Sequence, residues 1–237
     1  SNFSNLGFNP YIVINGNQPI PIEIDEKDLQ ILDIRHPEVN KYLKGLNTQK
    51  HNWRKYSGYF IRSPKGSSNS IQTCFLTSEN GLKQRVHNIL FAEEDSTLEI
   101  FTGCLSNSHV KDNTHTAIMD IFVGKNAKVT FNMIHSWGEN SKVYPHTKVY
   151  VQEGGEYISN YIVWDKVKEI VANPKIILGE KAKATVQSLS YIHPNSNIDL
   201  GGTVILKGKD SSGEILSSVV SNGGKFITKT DIQGKGS

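Results

Sequence analysis

The sequence predicts an all-β fold, a β-solenoid with a short helical segment near its N-terminus, and the prediction rests on composition and on an internal repeat. Isoleucine and valine together number 41 of the 237 residues, whereas alanine and leucine together number 21. Glycine adds a further 20 residues. Because β-branched residues favour strands and glycine favours turns, this composition indicates many strands joined by tight turns and argues against a helical bundle.

The repeat consists of alternating apolar runs that turn at a small residue. These corner residues are Ser96, Ala127, Gly155, Ala182 and Gly213. Their spacings of 31, 28, 27 and 31 residues are typical of a solenoid in which each coil is one repeat. A β-sandwich also contains alternating strands, but nothing in that fold requires corners at such a regular spacing, so the solenoid is favoured.

Aligning the corners predicts which residues are neighbours on successive coils. The first inward column holds Leu98, Val129, Tyr157, Ala184 and Ile215, and the second holds Ile100, Phe131, Ser159, Val186 and Ser217. The column eight residues past the corner holds Cys104, His135, Val163, Ser190 and Ser221. Cys104 and His135 are therefore expected to lie side by side, at the strand spacing of about 4.8 Å.

The N-terminal part has a different pattern. Residues 11–24 suggest a hairpin that turns at residues 15–17, where Asn-Gly-Asn is a turn sequence. Residues 26–46 carry leucine and valine near a 3.6-residue period, which predicts helix with an interruption at Pro37. We therefore divide the chain into an N-terminal hairpin and helical segment, residues 1–50, and a solenoid, residues 51–237.

Charge and the termini limit the kinds of partner. The 26 basic and 23 acidic residues give a net charge of +3 without a basic cluster, so no nucleic-acid partner is expected. No run of 18 apolar residues is present, so no membrane-spanning helix is expected. Two cysteines do not form a secreted disulfide framework, and the first ten residues lack a signal-peptide pattern. These features predict a cytoplasmic protein.

Cys104 is the first candidate for chemistry. Histidines follow it at positions 109, 115, 135 and 146, and thiolate and imidazole are ligands for zinc and iron–sulfur clusters. The spacings match no compact metal motif, so any metal ligands remain unknown. Two interpretations stay open: a small apolar core residue, or a reactive thiol whose pKa is lowered by His135. The alternation of the strand favours the core position unless Gly103 breaks it. Cys74 is interpreted as a packing residue, and Trp137 as a packing or interface residue.

Five stretches resemble the core domain of the SufB/SufD family, the scaffold proteins of iron–sulfur cluster assembly. They are residues 57–66, 84–94, 102–104, 130–139 and 153–161. The most specific is Met-Ile-His-Ser-Trp-Gly-Glu at residues 133–139, and the resemblance covers roughly residues 55–235. It implies a right-handed parallel β-helix, in agreement with the repeat.

The resemblance implies a non-enzymatic scaffold that accepts sulfur and iron and builds a cluster to pass on. The implied partners are a SufC-like ABC-type ATPase and a SufB/SufD-like paralogue, in a homo- or heterodimer. Cys104 resembles the family's β-helix cysteine, a candidate sulfur-accepting or cluster-related thiol, with His135 as its candidate neighbour. The iron–sulfur cluster would be transient, and none is expected to stay bound to this fragment.

The chain also departs from the family pattern. Family members continue past a stretch like residues 234–237 into a His-x-x-Cys segment and a helical tail, so we expect a C-terminally truncated member. Two other functions remain open: a polysaccharide-active β-helix enzyme and a purely structural β-solenoid. The enzyme is disfavoured because no acidic cluster or aromatic groove is evident in the sequence.

Overall fold

The structure, a computed structural model, describes residues 11–49, 56–106 and 112–235, and these form a parallel β-solenoid of about six turns. The all-β solenoid prediction is confirmed. The elements within the described ranges are β1 (Tyr11–Asn15), β2 (Ile24–Glu26), β3 (Leu29–Asp33), α1 (Val39–Leu43), β4 (Tyr59–Ser63), β5 (Ser68–Thr77), β6 (Lys83–Ala92), β7 (Thr97–Ser106), β8 (Thr114–Val123), β9 (Lys128–Ser136), β10 (Gly138–Val151), β11 (Glu156–Val163), β12 (Val167–Ala172), β13 (Lys175–Leu178), β14 (Lys183–Ile192), β15 (Asn197–Leu200), β16 (Gly202–Leu206), β17 (Ser212–Ser221), β18 (Lys225–Ile227) and β19 (Thr230–Gly234).

Two sheets enclose the interior, which we call the lumen. One sheet has the order β1-β5-β7-β9-β11-β14-β17, and the second contains β18-β15-β12-β10-β8-β6-β4-β3-β2 together with β13, β16 and β19. Each coil contributes one strand to the first sheet and then one or two strands to the second. Pairing between coils is parallel throughout, so each coil hydrogen-bonds only to its two neighbours.

The corners between the sheets share one backbone conformation. The residue before each small corner residue has a positive φ, at Gly66, Asp95, Asn126, Gly154, Lys181 and Asp210. Glycine, asparagine and aspartate tolerate this left-handed region better than most residues, which explains their recurrence at five of these positions. The buried or half-buried small residue that follows is Ser67, Ser96, Ala127, Gly155, Ala182 or Ser211.

The predicted columns are correct through four coils and wrong at the fifth. Leu98, Val129, Tyr157 and Ala184 are paired in register, as are Cys104, His135, Val163 and Ser190. The prediction of Gly213 as the next corner is wrong, because the left-handed residue is Asp210 and the corner is Ser211. Ala184 therefore pairs with Gly213 rather than with Ile215, which pairs with Val186. Ser217 and Ser221 are displaced by the same two residues, to partners Ser188 and Ile192.

The predicted hairpin at residues 11–24 is wrong. Strand β1 pairs in parallel with β5 and buries Ile12 and Ile14 against the first coil. The residues after the turn include Pro19 and Pro21, which lack the backbone N–H groups that a returning strand would need. The antiparallel hairpin lies later, between β2 and β3.

The predicted helical segment exists, but it is much shorter than residues 26–46. Residues 29–33 form β3, which pairs antiparallel with β4 and places Ile31 in the core. The helix α1 follows Pro37 and packs on the outer face of the second sheet, where the rings of Tyr42 and Phe60 stack at 5.4 Å. Residues 50–55 lie outside the described ranges, so the domain boundary at residue 50 stays a prediction. In the described part of the chain, no helix has the length and apolarity to cross a membrane.

Candidate functional site

Cys104 lies on β7 and faces the lumen. Its side chain has no exposed surface, and it is in register with Phe75 on the preceding coil and His135 on the following one. The thiol contacts a second sulfur, since Cys104 Sγ lies 3.7 Å from Met133 Sδ in a donor geometry. The structure therefore places Cys104 in the core, as its position in the alternating strand predicted, and also next to His135.

The electrostatics of the site keep the thiol protonated. Burial raises the pKa of Cys104 well above its usual value, and the nearby thiol of Cys74 raises it further. Of the two interpretations that the sequence leaves open, the raised pKa fits a core residue rather than a thiol activated by His135, because the buried imidazole is neutral and the thiol is directed to Met133. Since the thiolate is the reactive form of cysteine, Cys104 is unreactive in this conformation.

His135 is fixed by Trp137 in one tautomer. The indole Nε1–H of Trp137 donates to Nδ1 of His135 at 2.9 Å, so the imidazole proton lies on Nε2. That Nε2 is buried and has no hydrogen-bond partner. The ring packs against Tyr161 at 4.7 Å. Burial, with a smaller effect of His115, lowers the pKa of His135 to about 3.

His115 is a second buried imidazole, held in the opposite tautomer. The amide nitrogen of Gln84 donates to the carbonyl oxygen of Gly16 at 2.6 Å, which leaves the amide oxygen facing His115. Nδ1 of His115 donates to this oxygen at 2.7 Å, so its Nε2 carries no proton and is an acceptor without a partner. Burial lowers the pKa of His115 to about 3, and its ring lies 4.7 Å from Trp137.

These side chains leave polar atoms unpaired inside the lumen. Nε2 of His115, Nε2 of His135 and the hydroxyl of Tyr161 are buried without partners. An unpaired buried polar group typically costs about 1–3 kcal/mol, and such groups are rare in folded proteins. A partly open cavity of about 60 Å³ is lined by Met119, Met133 and Tyr161 among other residues, but not by Cys104, His115 or His135. Two of the unpaired groups, the Nε2–H of His135 and the hydroxyl of Tyr161, are hydrogen-bond donors, so the arrangement can hold a small hydrogen-bond acceptor.

The other residues considered from the sequence lie apart from this cluster or outside the described chain. Cys74 is a buried free thiol on the preceding coil, consistent with its interpretation as a packing residue. His146 is exposed on β10, and His109 lies outside the described residues. Within the described ranges, no three His, Cys, Asp or Glu side chains are grouped so that they can hold a metal ion.

The sequence pointed to His115 only as one of several histidines, and it gave no site role to Gln84, Met133, Trp137 or Tyr161. One signal was available: Gln84 and His115 are 31 residues apart, the same step that separates Cys104 from His135. Extending the register to every polar residue of the inward columns pairs Gln84 with His115 and Met133 with Tyr161. The tautomers and the sulfur–sulfur contact depend on side-chain rotamers, which the spacing does not contain.

Comparison with known proteins gives a consistent result. The family model of the SUF system FeS cluster assembly, SufBD core domain, matches residues 75–233. An iron–sulfur cluster assembly SufBD family protein of Archaeoglobus fulgidus is 42% identical over 180 residues, which cover 75% of this chain and 48% of the relative. A protein of the same description from Methanothermobacter thermautotrophicus is 39% identical over 167 residues, 69% of this chain and 41% of the relative. The chain thus spans about half the length of the curated relatives that it matches.

Proposed function

The chain belongs to the SufBD family of iron–sulfur cluster assembly proteins, and from this premise we propose that it is the β-solenoid part of an assembly scaffold that takes up sulfur at Cys104. One observation carries the proposal. The cysteine lies inside the family-matched region, in the lumen, among polar atoms that have no partner in the resting structure. Its role is that of an acceptor in a scaffold rather than of a catalyst with turnover.

The proposed step is a persulfide transfer. The Cys104 thiol loses its proton to solvent, and the thiolate attacks the outer sulfur of a donor persulfide. The new bond joins Cys104 Sγ to that sulfur, the S–S bond of the donor breaks, and the donor leaves as a thiolate that is then protonated. No electrons are gained or lost overall, since one persulfide is exchanged for another.

The unpaired groups of the lumen have roles in this step. A persulfide at Cys104 is more acidic than a thiol and carries negative charge more readily. Nε2–H of His135 and the hydroxyl of Tyr161 are donors without acceptors, and they are suited to hydrogen-bond to that charge. Trp137 keeps the proton of His135 on Nε2 by occupying Nδ1.

Transfer requires the solenoid to open. In the resting structure the thiol is fully buried and its pKa is raised, so it cannot attack a donor from solvent. We assign the opening to an ABC-type ATPase that acts on the whole protein. A SufB/SufD-like paralogue is the third member of the proposed complex. Iron and sulfide would then be assembled on the opened scaffold as substrates and released as a cluster.

The experiment supplies a persulfide donor to the whole protein with the ATPase and ATP, and locates bound sulfane sulfur by peptide mass spectrometry. Sulfur on the peptide that contains Cys104, and its loss in Cys104→Ser, is the expected result. Cys74→Ser is the matched control, because Cys74 is the other free buried cysteine of the described chain. Sulfur that stays at wild-type level in Cys104→Ser, or that is lost only in Cys74→Ser, contradicts the assignment.

A further inference from the structure

Both methionines of the chain line the same cavity. Met119 lies on β8 and Met133 on β9, and both side chains are buried. The two residues belong to the lining of the partly open cavity of about 60 Å³ inside the lumen. Because a thioether is readily oxidised to a sulfoxide, a cavity that reaches both methionines gives an oxidant a route into the core.

The cavity follows the axis of the solenoid toward its last described coil. On the first sheet its lining runs along a single column of residues in register, formed by Met133, Tyr161, Ser188 and Ser217. Ser217, on β17, is exposed. At about 10–15 Å³ for each water-sized molecule, the cavity has room for a few of them. A small molecule can therefore reach the methionines from the exposed coil.

Two hydrogen-bond donors in the lining have no partner. The amide oxygen of Asn88 accepts from the backbone N–H of Tyr59 at 3.2 Å, whereas its amide nitrogen is buried and unpaired. The hydroxyl of Tyr161 is also buried and unpaired. Asn88 is in register with Met119, and Tyr161 is in register with Met133. Each methionine thus has an unpaired donor on an adjacent coil, and these donors are suited to bind the oxygen atom of a small molecule.

The lining favours an uncharged molecule. Among the residues that the structure describes, the lining contains no acidic, basic or histidine side chain, so an ion would lie there without a compensating charge. Hydrogen peroxide meets both requirements, because it is small and neutral and accepts hydrogen bonds through either oxygen. It is also the oxidant class that converts methionine to its sulfoxide.

We propose that the cavity is a site for hydrogen peroxide, and that Met133 and Met119 are the residues oxidised there. The thioether sulfur attacks one peroxide oxygen, the O–O bond breaks, and hydroxide leaves with the bonding electron pair. The protonated sulfoxide gives its proton to that hydroxide, so the products are methionine sulfoxide and water. Sulfur is oxidised by two electrons and the peroxide is reduced by two. The hydroxyl of Tyr161 stabilises the negative charge on the leaving oxygen beside Met133.

Met133 adjoins both the cavity and Cys104. Its Sδ lies 3.7 Å from Cys104 Sγ, whereas Cys104 does not line the cavity. Peroxide in the cavity therefore meets Met133 before it meets the thiol. The proposal does not rest on the proposed function, since it needs only the cavity and the methionines. Where both hold, Met133 protects the sulfur-accepting thiol from peroxide.

The test compares two oxidants of different size, hydrogen peroxide and tert-butyl hydroperoxide, on the folded 237-residue chain. Peptide mass spectrometry measures the rate of sulfoxide formation at each methionine and any oxidation of Cys104. Each rate is divided by the rate in the urea-denatured chain, which corrects for the intrinsic reactivity of the reagent. We expect this ratio to be at least about tenfold higher for hydrogen peroxide, because a packed interior resists added methyl groups. Cys104 is expected to be oxidised only after Met133.

A variant tests the hydrogen-bond donor. Tyr161→Phe removes the hydroxyl beside Met133 and keeps the ring, so we expect oxidation of Met133 by hydrogen peroxide to slow by about two- to tenfold, the worth of one hydrogen bond. Tyr59→Phe is the matched control, because Tyr59 is a buried tyrosine of the lumen that does not line the cavity. Its rate of oxidation at Met133 is expected to equal that of the wild type.

Three results would overturn the proposal. They are equal ratios for the two oxidants, protection of both methionines from hydrogen peroxide in the folded chain, and oxidation of Cys104 ahead of Met133. Equal ratios would place the oxidation in an unfolded state, which admits both reagents. Equal slowing in Tyr161→Phe and Tyr59→Phe would refute the role of the Tyr161 hydroxyl. Should Tyr161→Phe fail to fold, as judged by circular dichroism, the comparison of the two oxidants decides the question, because it uses the unaltered chain.

Discussion

Lowering the pH from 7 to 5 is expected to destabilise the solenoid through its two lumen histidines. Burial lowers the pKa of both His115 and His135 to about 3, whereas histidine in an unfolded chain has a pKa of about 6.5. Between these values the unfolded chain binds a proton that the native protein does not. The contribution of each neutral histidine to stability is therefore complete above pH 6.5 and is lost as the pH falls toward 3.

The magnitude follows from linkage. Each pKa unit is worth about 1.4 kcal/mol, and pH 5 lies about 1.5 units below the pKa in the unfolded chain. Each histidine then lowers the free energy of unfolding by about 2 kcal/mol between pH 7 and pH 5, and the two together by about 4 kcal/mol. This is a large fraction of the stability of a typical domain.

The assay is urea denaturation at pH 7 and pH 5, followed by far-ultraviolet circular dichroism. In His135→Gln, the loss of stability between the two pH values is expected to be smaller than in the wild type by about 2 kcal/mol. Glutamine keeps an amide oxygen that can accept from Trp137, so the variant removes the titrating ring while a partner for the indole N–H remains. His146→Gln is the matched control, since its side chain is exposed on the same solenoid.

Equal pH dependence in the wild type and in His135→Gln would refute the reasoning, because the imidazole could then not be neutral in the folded protein and protonated in the unfolded chain. A reduced dependence in His146→Gln would also count against it. Unchanged m-values across the series are needed for the comparison, since a change in m would indicate a change in the unfolding transition itself.

Two further predictions concern Trp137 and Gly58, and both are checked by the denaturation midpoint. Trp137→Phe leaves Nδ1 of His135 unpaired and is expected to lower the free energy of unfolding by about 1–3 kcal/mol. Trp164→Phe is the control, since its side chain is 57% exposed, and it should lower the free energy of unfolding by less than about 0.5 kcal/mol. Equal losses in the two variants would contradict the hydrogen bond. Gly58→Ala places a Cβ 1.8 Å from the carbonyl oxygen of His87 at a φ of +143°, so we expect the free energy of unfolding to fall by more than about 2 kcal/mol. Gly103→Ala is the control, because a Cβ at Gly103 meets nothing within 4 Å. Similar midpoints for the two variants would contradict the close approach.

The solenoid was predictable because small corner residues recur in the sequence at steps of 27 to 31 residues. The register from Leu98 to Ala184 follows from spacing alone, since parallel coils pair residue by residue. The fifth corner was misplaced because Gly213 was taken for the corner residue, whereas the left-handed turn is made by Asp210 before Ser211. Because the pattern requires only a small residue near a turn, it could not distinguish Ser211 from Gly213 as the corner residue.

The N-terminal part was not predictable in the same way. Residues 11–15 form a strand, and the turn sequence that follows at residues 15–17 suits a hairpin as well as an edge strand. The local pattern therefore does not determine the parallel pairing with β5. Leucine and isoleucine at residues 29–33 fit a helical period, yet the free edge of β4 recruits them as a strand. In both cases tertiary pairing outweighed local preference.

The candidate site was predictable in its position but not in its chemistry. The repeat placed Cys104 next to His135 and pointed Cys104 inward, and the structure agrees. The direction of the pKa changes was not foreseen, because it depends on how completely the lumen excludes water. The contact with Met133 joins residues 29 positions apart along a diagonal of the register, which a column-by-column alignment does not reveal.

The most direct test of the account is the alkylation rate of Cys104, measured by mass spectrometry in the whole protein with and without ATPase turnover, with the denatured protein as the reference. We predict that Cys104 is protected at rest, as a buried thiol of raised pKa should be, and becomes reactive while ATP is hydrolysed. Reaction at rest as fast as in the denatured protein would contradict the buried site. Protection under every native condition would contradict sulfur uptake at Cys104.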